Sequence, residues 1–209
     1  MKRDFDREAA QWDSNPTRLA MTLALSEAMI ERLKPTPQLT VLDYGAGTGV
    51  MALKFSPLVK RVFAADSSQG MLDVMRSKLA ALGVTNVEPV LLDLAQDGAA
   101  ADALRPDVIV SSMVFHHVRD TAALLHRFHS MLPAGGRIAI ADLEPEPGDF
   151  HSDNAGVEHF GFAQSTIEGL CSAAGFTEIA TATAYVMRKV NAAGAERDFP
   201  IFLLSARKG

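Results

Sequence analysis

Apolar and polar positions alternate along the middle of the chain in a rhythm that predicts strands separated by helices. Strand-like runs rich in Val, Ile, Leu and Ala lie at 39–44, 61–65, 87–92, 107–112 and 136–142. Helix-compatible segments lie between them, at about 48–57, 68–82, 96–104 and 120–132. Nearly continuous apolar strands are typical of a sheet buried on both faces, so the pattern predicts an α/β fold with a parallel sheet and right-handed crossovers.

A helix is predicted ahead of the first strand. Asn15 and Pro16 are typical of a helix start, and Pro35 ends the pattern. Between them, apolar residues are spaced for one buried face: Leu19, Leu23, Met29, Ile30 and Leu33. We therefore expect residues 1–35 to form an N-terminal helical appendage within one domain that spans residues 1–209.

The C-terminal third follows a different pattern. Residues 143–163 are rich in Glu, Pro, Gly, Asp and His and are expected to form a long loop. A helix is predicted at about 164–174, ended by Gly175. The last two strands, at about 176–187 and 198–206, are separated by too few residues for a crossover helix, so they should pair antiparallel.

Composition and charge narrow the class of partner. The 209 residues are 48% apolar, and a net charge of −5 without a Lys/Arg cluster argues against nucleic acid. No apolar run approaches the ~20 residues that span a bilayer, and residues 1–13 lack the apolar core of a signal peptide. The single Cys171 cannot form an internal disulfide. We therefore expect a cytoplasmic protein with a small-molecule partner, no membrane association and no obligate protein partner.

The most informative motif follows the first strand. Residues 41–49 read Val-Leu-Asp-Tyr-Gly-Ala-Gly-Thr-Gly, and glycines here let the backbone turn tightly and approach a ligand. The dinucleotide fingerprint needs a further glycine where Val50 stands, and the Gly-Lys-Ser/Thr of a phosphate loop is absent. A purely structural turn remains the alternative.

Acidic residues stand at the ends of three consecutive predicted strands: Asp43, Asp66 and Asp93. The carboxyl edge of an open α/β sheet is where ligands bind, and an acidic residue after the second strand accepts hydrogen bonds from ribose hydroxyls. A carboxylate after the third strand is suited to the exocyclic amine of adenine. Alternatively, each carboxylate only caps the next helix or turn.

On these motifs the chain resembles the class I S-adenosylmethionine-dependent methyltransferases, especially the small-molecule group related to quinone-biosynthesis C-methyltransferases. The resemblance covers almost the whole chain and is strongest over 39–142. It implies a doubly wound, seven-stranded, mostly parallel sheet with an antiparallel last strand and an N-terminal helical lid. It also implies S-adenosylmethionine as cofactor, bound by Asp43, Gly45, Ala46, Gly47, Thr48, Gly49, Asp66, Ser67, Met71, Asp93, Leu94, Ser111 and Met113.

The segment after the fourth strand, residues 111–118, lies beside the transferable methyl group in the resembling family. Histidine titrates near neutrality, so His116 or His117 is expected to orient or deprotonate the acceptor. If the segment is extended, the two side chains face opposite ways and only one lines the pocket. Ordinary packing is the alternative for each of them.

Four further residues are expected to contact the acceptor: Trp12, Phe115, His151 and His159. Trp12 would close the N-terminal lid or anchor that segment to the core. The two histidines belong to the insertion at 143–163, which would overhang the same edge of the sheet. A metal site built from His116, His117, His151 and His159 is the alternative, but no metal-binding spacing supports it, so we expect no metal.

Two other functions compete with a methyltransferase. A non-catalytic S-adenosylmethionine-binding protein with a regulatory or scaffolding role would need the same glycine loop and carboxylates. A nicotinamide-dependent oxidoreductase is disfavoured by Val50 and by the antiparallel pair of strands at the end. The sequence does not choose the acceptor or the atom that is methylated.

Overall fold

The computed structural model describes residues 4–93, 101, 103–190 and 194–209. Leu94 and most of the helix predicted at 96–104 lie outside the described residues.

Seven strands form one sheet in the spatial order β3-β2-β1-β4-β5-β7-β6. Their bounds are β1 Thr40–Tyr44, β2 Arg61–Asp66, β3 Val87–Leu91, β4 Val108–Ser112, β5 Arg137–Leu143, β6 Phe176–Val190 and β7 Glu196–Lys208. Strands β1 to β5 pair in parallel, whereas β7 lies antiparallel to both β5 and β6. The predicted fold class, a doubly wound and mostly parallel sheet with an antiparallel last strand, is confirmed.

Six α-helices connect or precede the described strands. They are α1 Phe5–Glu8, α2 Pro16–Leu33, α3 Val50–Phe55, α4 Gln69–Leu82, α5 Thr121–Met131 and α6 Gln164–Ala173. Single 3₁₀ turns occupy Ala9–Ser14, Ser56–Leu58 and Phe115–His117. None of the helices in the described part of the chain is long and apolar enough to cross a membrane.

Helix α2 begins and ends as the sequence predicts. The Asn15 side chain accepts from the backbone N–H of Arg18, and Lys34 adopts a left-handed conformation that closes the last turn. The predicted buried face is partly wrong, because Leu19 and Leu23 are only half-buried. The buried stripe has a strict four-residue spacing instead: Met21, Leu25, Met29 and Leu33.

Two apolar clusters cover the two faces of the sheet, as strands buried on both sides require. One cluster joins α2, α3 and α4 to the sheet through residues such as Leu25, Phe55 and Met75. The other joins α5 and α6 through residues such as Phe128 and Ile167. Both clusters fix the strands, so the loops at their carboxyl ends stand on a rigid base.

Candidate active site

A cavity of about 640 Å³ lies at the carboxyl edge of the parallel strands. Its walls come from the glycine loop after β1, the ends of β2 to β4, the N-terminal segment 5–22 and the loop 144–163 that follows β5. Its volume is in the usual range for small-ligand sites. Its position is the one at which open α/β sheets bind ligands.

The glycine loop is held in shape by the second strand. The backbone N–H groups of Gly45 and Ala46 both donate to the carbonyl of Ala65, at 2.8 and 2.9 Å. Gly47 has φ of +54°, and its N–H donates to the Asp66 carboxylate at 2.7 Å. A Cβ added at Gly47 would point into open space, with Trp12 Nε1 the nearest atom at 3.8 Å. The loop therefore presents bare backbone to the cavity.

Two carboxylates, the buried Asp43 and the half-buried Asp66, line the same end of the cavity. Burial, and then the charge of Asp66, raise the pKa of Asp43 to about 7. Asp43 Oδ2 is buried and has no hydrogen-bond partner among the described residues. Burial also raises the pKa of Asp66, although the N–H groups of Ser68 and Gly47 donate to it and oppose the rise. Such a pair suits a ligand that carries positive charge and hydrogen-bond donors.

The N-terminal segment is fastened to this end of the cavity by two aspartates. Asp6 Oδ1 accepts from Ser68 Oγ at 2.5 Å and from the N–H of Gly70 at 2.8 Å, and these bonds lower the pKa of Asp6. Asp13 accepts from Thr48 Oγ1 at 2.6 Å and forms an ion pair with Lys78. The segment therefore lies across the glycine loop as a cover.

The other end of the cavity contains His116, whose side chain is 1% exposed. Its Nδ1 lies 2.7 Å from Asp142 Oδ1, and Asp142 also accepts from the N–H of Leu143. Burial alone would raise the pKa of Asp142, but the charge and hydrogen bond of His116 and these backbone donors hold it below its usual value. Because a carboxylate only accepts, Nδ1 carries the hydrogen of neutral His116.

His117 and His151 complete a cluster with His116. The carbonyl of Gly156 lies 2.8 Å from His117 Nδ1, and the two Nε2 atoms of His116 and His151 are 3.1 Å apart. The expectation that only one histidine of the pair lines the pocket is wrong. Residues 115–117 form a 3₁₀ turn instead of an extended segment, so both His116 and His117 reach the cavity.

Comparison with known proteins identifies the family. A family described as "Methyltransferase domain" matches residues 6–181, which include the glycine loop, the carboxylates and the histidine cluster. The chain belongs to this methyltransferase family. This is the family that the sequence motifs resemble, and the cofactor predicted from the sequence, S-adenosylmethionine, is supported by the family and by a neighbour solved in complex with it.

Individual relatives agree with this family. A curated relative from Schizosaccharomyces pombe, named an uncharacterized methyltransferase, is 27% identical over 135 residues, covering 59% of this chain and 48% of the relative. The ubiquinone/menaquinone biosynthesis C-methyltransferase of Klebsiella pneumoniae is 35% identical over 108 residues, covering 50% of this chain and 42% of that protein. The chain spans about half the length of the curated relatives it matches.

A solved structure reproduces the fold over nearly the whole chain. Phosphoethanolamine N-methyltransferase 2 of Haemonchus contortus, in complex with S-adenosyl-L-methionine, superposes with a TM-score of 0.70 at 16% identity. The match covers 99% of this methyltransferase and 60% of the other chain. At this identity the likeness concerns the fold alone.

The donor set of this methyltransferase fits its cofactor. S-adenosylmethionine carries a sulfonium and an ammonium group, and the buried Asp43 and the half-buried Asp66 are carboxyl groups whose negative charge would suit them. The unpartnered Asp43 Oδ2 and the open space over Gly47 are further features that such a ligand satisfies.

Most of the residues predicted for the site line the cavity. They are Trp12, Asp43, Gly45, Ala46, Gly47, Thr48, Asp66, Ser67, Met71, Asp93, Met113, His116, His117 and His151. Their individual roles remain predictions.

Four predicted site residues lie elsewhere. Ser111 is fully buried and donates to the carbonyl of Tyr44, because its neighbour Ser112 holds the strand position that faces the cavity. Phe115 packs on Phe128 inside the core. His159 Nε2 lies 2.9 Å from the carbonyl of Val118, beyond the cluster.

Gly49 is the fourth residue. It begins helix α3 with φ of +83°, and a Cβ there would lie 2.6 Å from Met75 Cγ. Its glycine is required by packing against α4 and not by the cavity.

Several wall residues are not among the predicted site residues, including Phe5, Arg18, Ser112, Phe150, Asp153 and Lys189. Arg18 is half-buried in the first turn of α2, and its guanidinium carbon is 3.8 Å from the centre of the Trp12 ring. Lys189 comes from strand β6 and lies 4.5 Å from the centre of the Phe150 ring. No local pattern marks either residue, since each reaches the cavity through the tertiary fold.

Proposed function

We propose that the chain transfers the methyl group of S-adenosylmethionine to a small-molecule acceptor. The observation that carries this proposal is the single cavity that connects the glycine loop and Asp43 with the histidine cluster. One end has the charge and the bare backbone that the cofactor needs. The other end has imidazole groups, which suit an acceptor that must be oriented or deprotonated.

At the cofactor end, each group has a distinct role in this proposal. The backbone of Gly45 and Gly47 lies against the methionine part, and Asp43 accepts from its ammonium group. Asp66, at the end of β2, accepts from the ribose hydroxyls, and Asp93, at the end of β3, marks the adenine. Met71 and Met113, both on the cavity wall, give the bound ligand apolar contacts.

When bound, S-adenosylmethionine supplies a methyl group on a positively charged sulfur. The protein's contribution is then to hold the acceptor in line and to exclude water, which can account for roughly 7–11 kcal/mol of the barrier. The cover formed by Phe5, Trp12 and the aspartates fastened to α4 supports such exclusion.

At the acceptor end, the hydrogen bond to Asp142 fixes the ring and tautomer of His116. The unprotonated Nε2 of neutral His116 is then directed at the cavity and His151. In this position it accepts a hydrogen bond or a proton from the acceptor. The buried Asp142 does not line the cavity, so among the described residues His116 is the buried base in the wall at this end.

The size and covering of the cavity support a small acceptor. A flexible polymer would need an open groove, whereas segment 5–22 and loop 144–163 both contribute walls to this cavity. The net charge of −5 supports the same conclusion for nucleic acid. One relative is named for ubiquinone and menaquinone biosynthesis, which are small-molecule pathways.

A labelling experiment tests the acceptor class. The purified chain is incubated with S-adenosylmethionine carrying a tritiated methyl group and, separately, with the small-molecule, protein and nucleic-acid fractions of one cell extract. We expect label to enter the small-molecule fraction only, and Gly47→Ala to abolish it. Label in either macromolecular fraction alone would overturn the acceptor class, and cofactor binding without any labelling would favour the non-catalytic alternative.

A further inference from the structure

Three histidine rings converge on one point in the wall of the cavity. His116, His117 and His151 each offer one ring nitrogen, and these nitrogens all lie within 4.8 Å of one another. The ring centres are 4.1 to 5.4 Å apart. The residues come from two separate loops, one after β4 and one after β5, so sequence spacing does not indicate the cluster.

Two of the three rings are oriented through their Nδ1 atoms. His116 Nδ1 donates to the buried Asp142 carboxylate at 2.7 Å, and His117 Nδ1 donates to the carbonyl of Gly156 at 2.8 Å. Both acceptors lack hydrogens, so the lone pair of each neutral ring is on Nε2. This is how metal-binding histidines are held, with one nitrogen on a carboxylate or carbonyl and the other on the ion.

The spacing of the nitrogens suits a tetrahedral ion. Zinc binds histidine nitrogen at about 2.0–2.1 Å, which places two nitrogens of one tetrahedron about 3.3 Å apart. The Nε2 atoms of His116 and His151 are 3.1 Å apart. His117 and His151 are only half-buried, so ring rotation can shorten the wider separations.

The ligand types select the class of metal. Imidazole nitrogen favours Zn²⁺ and its neighbours Co²⁺ and Ni²⁺, whereas Mg²⁺ and Ca²⁺ prefer oxygen. Three protein ligands leave a fourth position open, which is the arrangement of catalytic zinc sites. Here that position faces the cavity, because all three histidines belong to its wall.

We propose that His116, His117 and His151 bind one zinc-class ion, and that the acceptor's hydroxyl or thiol group occupies its open position. The second half rests on the proposed function. In it His116 Nε2 is a ligand of the ion, and the ion replaces this nitrogen as the group that promotes proton loss from the acceptor. An oxygen or sulfur bound to the ion loses its proton to solvent more readily, as zinc-bound water does. A lone pair of that acceptor atom then forms the bond to the methyl carbon of S-adenosylmethionine. The bond between this carbon and the cofactor's sulfur breaks, and its electrons stay on the cofactor's sulfur. The products are the methylated acceptor, S-adenosylhomocysteine and one proton.

Direct metal binding tests the site. The purified chain is stripped with a chelator and titrated with Zn²⁺ and with Co²⁺, and bound metal is counted by mass spectrometry. We expect one ion per chain and the intense visible absorption of tetrahedral Co²⁺. His151→Ala, which removes a half-buried ligand, should weaken binding by more than about 100-fold, since outer-shell losses alone cost about 10–100-fold.

Asp142→Asn should weaken binding by about 10–100-fold, because the amide no longer fixes His116 as the carboxylate does. The matched control is His126→Ala, which removes an exposed histidine of α5 and should bind metal as the unchanged chain does. Equal binding by the His151 and His126 variants, or substoichiometric binding by the unchanged chain, would overturn the site and leave only a hydrogen-bonded histidine chain.

Calorimetry with S-adenosylhomocysteine on the same samples separates the two proposals. The metal-free chain and His151→Ala should both bind it normally, because Asp43 and Asp66 are intact. Binding of metal without binding of S-adenosylhomocysteine would overturn the proposed function but not the metal site. Binding of S-adenosylhomocysteine without binding of metal would overturn the metal site but not the proposed function.

Discussion

Asp43 is the residue at which stability and ligand binding oppose each other most directly. It is 2% exposed and its Oδ2 has no partner among the described residues. An ionised carboxylate in such a place destabilises the free protein unless a cation approaches it. A positively charged cofactor is therefore expected to bind best when Asp43 is ionised.

Asp43→Asn is expected to reverse both effects. A carboxyl whose folded pKa is raised to about 7 contributes stability below its unfolded pKa and loses it as pH rises through 7. The Asn variant should therefore exceed the original protein in free energy of unfolding by a few kcal/mol at about pH 8.5, and not at acid pH. Urea unfolding across this range measures the difference.

Cofactor affinity should show the opposite trend. Binding of S-adenosylmethionine to the unchanged chain should strengthen as pH rises through about 7, because Asp43 ionises there. The Asn variant should lack this slope and bind more weakly at alkaline pH. Equal slopes in calorimetry would mean that Asp43 does not face the cofactor's charge.

Gly47→Ala should separate cofactor binding from folding. Gly47 and Gly83 both have positive φ, so alanine at either position costs about 1–2 kcal/mol of stability. A Cβ at Gly83 meets nothing within 4 Å, whereas one at Gly47 enters the cavity. We expect the two variants to unfold alike and only Gly47→Ala to lose cofactor affinity, by about tenfold or more; similar affinities would mean that the cofactor lies away from this glycine.

The sequence predicted the cofactor end of the site better than the acceptor end, for a reason visible at single residues. Asp43, Gly47 and Asp66 follow strands directly, so their positions are set by local pattern. Ser111 and Phe115 were misplaced because the strand position facing the cavity and the 3₁₀ turn after it depend on tertiary contacts. A period-two pattern shows alternation but not which face is which.

At the scale of elements, the strands and the presence of the long loop were predictable, but the path of that loop was not. The predicted strand bounds lie within three residues of the observed ones, because continuous apolar runs leave few alternatives. Loop 144–163 is instead positioned by backbone bonds to the His116 carbonyl from Glu158 and His159, at 2.9 and 3.1 Å. Hydrogen bonds between residues this far apart in the chain produce no periodic pattern in the sequence from which they could be predicted.

The N-terminal segment is the element whose attachment should control cofactor release. Asp13→Ala removes the bonds to Thr48 and Lys78, whose partly exposed ion pair is weakened by solvent. We expect S-adenosylhomocysteine to dissociate about 3- to 10-fold faster in stopped flow, with a small change in stability.

Glu27→Ala is the matched control for this change. It removes another carboxylate paired with a lysine, Lys54, at an exposed position of α2 outside the cavity wall. Its dissociation rate should equal that of the unchanged chain. A rate for Asp13→Ala that also equals it would show that the segment is not a lid for the cofactor.

At the scale of the whole molecule, the cavity couples cofactor binding to the stability of both layers. Its walls come from four strands, from helices α1 to α4 and from the loops at the carboxyl edge, so a ligand there contacts elements that unfold together. At about 100 times its dissociation constant, such a ligand adds about 2.7 kcal/mol to the free energy of unfolding. For a chain of this size we therefore expect S-adenosylhomocysteine to raise Tm by about 5–11 °C. NAD should cause no shift, since Val50 replaces the glycine its fingerprint needs. Gly47→Ala should show a smaller shift with S-adenosylhomocysteine than the unchanged chain does, in keeping with its weaker affinity. A rise in Tm with NAD alone would favour the oxidoreductase alternative, because a ligand raises Tm only if the native protein binds it.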